Sequence, residues 1–77
     1  RLNEAIEVVT DSQGNPVRYG RSGTWKDVRL IQNRWSETDW CMGKLEERMV
    51  FRIEEISAGL VEIQRHGDRW RLTAVAD

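Results

Sequence analysis

One cysteine, Cys41, and one histidine, His66, are the side chains of this 77-residue sequence best suited to nucleophilic or metal chemistry. An imidazole can activate a thiolate for attack on a carbonyl carbon, and both groups ligate zinc. They lie 25 residues apart, and one of each falls short of the four-ligand set of a structural zinc site. Carboxylates could complete such a set, but nothing in their spacing marks one. No phosphate-cradling glycine loop, dinucleotide fingerprint or nucleophile elbow occurs. The sequence therefore offers no catalytic residue, no metal site and no cofactor.

Paired carboxylates stand at Glu46-Glu47 and Glu54-Glu55. Neighbouring residues of a strand point to opposite faces, so neither pair converges on a substrate. The plainer reading is solvated charge that keeps sheet edges from pairing with other chains. Of the four tryptophans, Trp25, Trp35 and Trp70 fall in strand-like runs and are expected in the core. Trp40 sits beside Asp39 and Cys41 in the least regular segment, where it either fills the core or covers the mouth of a barrel. An exposed tryptophan beside arginines makes a protein-binding or base-stacking surface.

Ten arginines against two lysines is the one oddity of composition. Cross-strand pairing with Glu7, Glu54 and Glu62 accounts for it plainly, at a few tenths of a kcal/mol per pair. The functional reading is a guanidinium face that grips phosphates in bidentate fashion. Arg34, Trp40, Arg48 and Arg52 are the partner-binding candidates that combine the two signals.

These residues need a scaffold. The length allows one small domain, residues 1–77, burying roughly 60% of its unfolded surface. A formal net charge of −1 argues against a dedicated nucleic-acid binder, although a local basic face stays open. The lone cysteine and the lack of a signal-like apolar segment point to a reducing, cytoplasmic setting. No apolar run approaches the ~20 residues of a membrane-spanning helix. The opening Arg1 fits a piece excised from a longer protein.

After a lead-in over residues 1–4, residues 5–10 are β-branched and read as a strand. Residues 11–16 are dense in turn formers, and residues 17–19 form a short partner strand. Residues 24–35 make the central strand. Its alternation slips near Arg29–Leu30, where a bulge brings Val28, Ile31 and Trp35 closer to one face. Residues 36–47 read as a loop, with a short helical turn as the alternative, because Gly43 weakens a helix by ~1 kcal/mol. Beyond it, Met49, Phe51 and Ile53 share one face and Arg48, Val50, Arg52 and Glu54 the other. Residues 60–65 and 69–75 complete a three-stranded meander. The fold class is all-β, a small curled antiparallel sheet or SH3-like barrel of five to seven short strands.

The succession of Trp25, Val28, Ile31, Arg34-Trp35, Trp40-Cys41, Phe51-Arg52-Ile53, Val61-Glu62-Ile63, Trp70-Arg71-Leu72 and a terminal Asp77 spans nearly the whole chain. It resembles a small bacterial domain of unknown function, found alone or as a C-terminal tail on proteins related to error-prone, Y-family repair polymerases. The chain departs from that pattern at Cys41, where the family has a second tryptophan. It departs again at Leu60, Val61 and Ile63, which stand in place of the family's tyrosines. The matching motifs are scattered aromatics and carry no active site. What the resemblance implies is a non-catalytic accessory or protein-interaction domain, whose partner is a protein or the remainder of a polymerase-like chain. The alternative is a weak, sequence-tolerant DNA-binding barrel with an arginine and tryptophan face.

Overall fold

The computed structural model describes residues 2–76; Arg1, at the head of the expected lead-in, and the terminal Asp77 lie outside the described residues. Six antiparallel strands follow one another in a closed barrel: β1 (Glu4–Thr10), β2 (Pro16–Arg21), β3 (Thr24–Cys41), β4 (Lys44–Glu55), β5 (Leu60–His66) and β6 (Arg69–Ala76). The expected all-β class and the closing three-stranded meander are both present.

Tight turns set this order. Ser22-Gly23 and Met42-Gly43 each carry positive φ at both positions, 52° and 77° in the first, 52° and 80° in the second. That is the type I′ geometry, whose twist matches the strands it joins. Between β1 and β2, the Asp11 carboxylate accepts the amides of Gln13 and Asn15, both at 2.9 Å. The Asn15 amide, foremost among these, holds the Asp11 pKa below its ordinary 3.8.

Closure comes from strands that change partners partway. Residues 24–27 of β3 pair with β2, and from Val28 onward the strand pairs with β4. Likewise β1 pairs with β6 through Ile6 and with β2 from Glu7. The β3–β4 register slips at two places, between Val28 and Leu30, as expected, and again between Ile31 and Asn33. Both slips bend a strand of 18 residues that at ~3.3 Å per residue would run ~60 Å if straight. The molecule's longest dimension is only 40 Å.

Tyr19, Phe51, Ile53, Val61, Ile63 and Leu72 form the buried core, with Ile6, Val8, Val28, Ile31, Met49 and Trp70 packed against it. The Phe51 and Trp70 rings meet at 5.5 Å between centroids. The tryptophan expectation needs two corrections. Trp25 is 45% exposed, its ring beneath the Arg18 guanidinium at 4.8 Å. Trp35 is half-buried outside the core cluster, on the outer face beside Arg52. The second register slip places it there, opposite Val50, whereas Arg34 falls opposite the inward Phe51.

The carboxylates need one correction as well. Glu54 and Glu55 do point to opposite faces, but Glu55 is not solvated. It continues the inward series of Phe51 and Ile53, is buried, and accepts a hydrogen bond from the Tyr19 hydroxyl. Gly59 makes room for it: a Cβ there would lie 2.5 Å from Glu55 Oε1.

Candidate interaction surface

Residues 36–47 are neither loop nor helical turn. They complete β3, the Met42-Gly43 turn and the first part of β4. Pairing of β4 with β5 begins only at Met49, and β3 leaves β2 at Asp27, so residues 37–48 form a two-stranded ribbon beyond the barrel. The radius of gyration, 12.3 Å, exceeds the ~11.5 Å of a compact chain of this length, as a projecting element requires.

An isolated two-stranded ribbon is marginal in water. This one is rooted in the sheet and braced at its base. Arg48 Nη2 lies 3.5 Å from Glu37 and 3.6 Å from Asp39, and His66 Nε2 lies 2.5 Å from Glu46. These pairs are partly solvated, so they fix direction more than they add stability.

The two faces of the ribbon differ. Glu37–Arg48, Asp39–Glu46 and Cys41–Lys44 oppose each other on one. Thr38–Glu47 and Trp40–Leu45 oppose each other on the other. Trp40 is 71% exposed, Leu45 61% and Met42, at the turn, 98%. Three large apolar side chains thus stand in water at the end of a ribbon that also carries four carboxylates and two cations. Cys41 is exposed there too.

The four sequence candidates separate into two pairs. Arg34 and Trp40 belong to the inward-facing side of β3, six residues or ~20 Å apart along the strand. Arg34 holds the β1–β2 loop, donating from Nη1 to Asn15 Oδ1 at 2.6 Å. Arg48 and Arg52 share the outer face. Arg52 reaches Glu62 at 3.7 Å and lies 5.7 Å from the centre of the Trp35 ring. Met42 and Leu45 are the members of the apolar end that the sequence reading lacks. The Met-Gly pair between two segments of strand length is the signal for them, since it repeats the Ser22-Gly23 turn.

Among the described residues five arginines sit in ion pairs: Arg18 with Asp27, Arg21 with Glu4, Arg29 with Glu54, Arg48 with Glu37 and Asp39, and Arg52 with Glu62. Two of the expected acidic partners, Glu54 and Glu62, take part; Glu7 is in none of these pairs. Among the described residues no helix is long and apolar enough to cross a membrane. Comparison with protein-family models, with curated proteins and with solved structures gave no match.

Proposed function

We propose that this chain is a non-catalytic interaction domain that docks on a protein through the end of its β3–β4 ribbon. One observation carries the reading: Trp40, Met42 and Leu45 stand exposed together where the ribbon ends. Aromatic residues and methionine are enriched at protein interfaces, and large anchors of this kind dominate binding energy once a partner desolvates them. The ribbon's carboxylates favour a protein pocket with a basic rim over a polyanion. The family resemblance supplies the context, a bacterial cytoplasmic repair protein, with the partner being a Y-family polymerase core in the same chain or beside it.

The test is a titration of ¹⁵N-labelled domain with such a polymerase core, followed by NMR. Signals from residues 38–45 should shift first, and Trp40→Ala should weaken binding by ~2 kcal/mol or more, the scale of a hot-spot residue. Binding that Trp40→Ala leaves untouched would remove the ribbon from the interface.

A further inference from the structure

The outer face carries a second feature, independent of the ribbon's apolar end. His66 on β5 lies directly opposite Arg69 on β6, and Gln64 lies opposite Arg71. The register of β4 with β5, carried one step on from Met49–Arg65, sets Arg48 beside His66. These side chains and Thr73 line a surface depression of about 540 Å³.

Charge within it is unevenly matched. Arg48 is committed to Glu37 and Asp39, and His66 to Glu46. Arg69 and Arg71 take part in none of the ion pairs among the described residues. Arg71 instead donates to the neutral Asn3 Oδ1 at 3.1 Å. Two guanidinium groups therefore project from one strand face, ~7 Å apart along it, toward the same depression.

The floor is polar and ordered. Gln64 and Thr73 are each only 7% exposed, Gln64 Nε2 donates to Thr73 Oγ1 at 3.5 Å, and the threonine hydroxyl donates to the Glu62 carbonyl at 3.2 Å. A second Gln64 amide proton remains available as a neutral donor. In the wall, Arg48 Nε is buried with no hydrogen-bond partner, an unusual state for a cationic donor.

We infer that this depression binds the phosphoryl group of a small phosphate-bearing molecule, held by Arg69 and Arg71 with Gln64 beneath it. Two guanidinium forks outside the ion pairs of the described residues match the charge and the several oxygens of a phosphate dianion better than a single carboxylate does. The volume leaves room for an organic group on the phosphate. An extended nucleic-acid strand fits poorly, because Asp39 lines the depression on the ribbon side and Glu37 and Glu46 stand behind it on Arg48 and His66.

The experiment is NMR titration of the ¹⁵N-labelled chain with inorganic phosphate and with AMP, against acetate and sodium chloride at matched ionic strength. Both phosphates should produce saturable shifts at Gln64, His66, Arg69, Arg71 and Thr73, and stronger binding of AMP would assign the organic group a role. The double variant Arg69→Gln with Arg71→Gln should lose at least tenfold in affinity while its circular dichroism and melting stay those of the parent. Arg71→Lys, which keeps the charge and loses the fork, should weaken binding without abolishing it. Shifts reproduced by acetate or chloride, or retained in the double variant, would overturn the proposal. So would an oligonucleotide that displaces AMP at lower concentration.

Discussion

Tyr19 and Glu55 form the polar contact on which the barrel's interior depends most. Both are buried, and the phenol donates to the carboxyl across 36 residues of sequence. Alternation through Phe51 and Ile53 is enough to turn Glu55 inward. Its partner is beyond any local pattern, because the contact exists only once the barrel has closed. Burial first, and then this hydrogen bond, raise the Tyr19 pKa well above its ordinary 10.0. A raised pKa means the folded chain holds that proton more tightly than the unfolded one. The contribution to stability is complete below about pH 10 and is lost as the pH climbs from there toward the folded-state pKa. Tyr19 is the sole tyrosine, so any phenolate absorbance comes from it alone. Phenolate absorbance should appear together with the loss of far-UV circular dichroism, not ahead of it. Tyr19→Phe should remove the tyrosine-linked part of this alkaline loss. At neutral pH it should cost ~1–3 kcal/mol in a denaturant melt, because the buried Glu55 loses its donor. Phenolate appearing near pH 10 in a folded barrel would contradict the buried contact.

At the scale of elements, legibility follows burial. The strands β4, β5 and β6 can be read from sequence over residues 49–75 because their inner face is buried throughout and the other is largely wet, Val50, Gln64 and Thr73 apart, which imposes a period of two. The ribbon over residues 37–48 has no such imprint. Neither of its faces packs on the core, so its apolar residues need no regular phase, and the Met42-Gly43 turn is the only local mark. For the same reason the four candidate residues look like one face in sequence and divide into two in space: the slip between Ile31 and Asn33 sends Arg34 inward and Trp35 outward. The ribbon's detachment from the core makes a further prediction. Replacing residues 38–47 by Asn-Gly should leave a shortened type I′ hairpin closed by Glu37 and Arg48, which already face each other in the same phase of the ladder as Cys41 and Lys44. Stability should change by no more than ~1 kcal/mol, since no core residue is removed. Binding to the proposed protein partner should disappear. A collapse of the melting transition would show that the ribbon holds the barrel closed.

Across the whole molecule, charge is what makes the proposed protein partner a better match than a nucleic acid. Twelve basic and thirteen acidic residues nearly cancel, and the ion pairs interleave the two signs over the barrel surface. The projecting ribbon carries an acidic excess, four carboxylates against two cations, which opposes a phosphate backbone. The outer-face depression offers two guanidinium groups outside the ion pairs, Arg69 and Arg71. A duplex engaging only those would release the counterions of about two phosphates, giving a log–log salt slope of about −1.8. Contacts that few lose their hold at physiological ionic strength, near 150 mM, where the Debye length is about 8 Å. Fluorescence anisotropy with a labelled oligonucleotide should therefore detect at most weak binding at low salt and none in the micromolar range at about 150 mM. Any low-salt signal should fall in the Arg69→Gln, Arg71→Gln double variant and be indifferent to Trp40→Ala, because the ribbon's end lies off that face. Micromolar binding that survives physiological salt, with a slope steeper than two contacts allow and a loss of ~1–3 kcal/mol on Trp40→Ala, would instead make the ribbon a base-stacking arm.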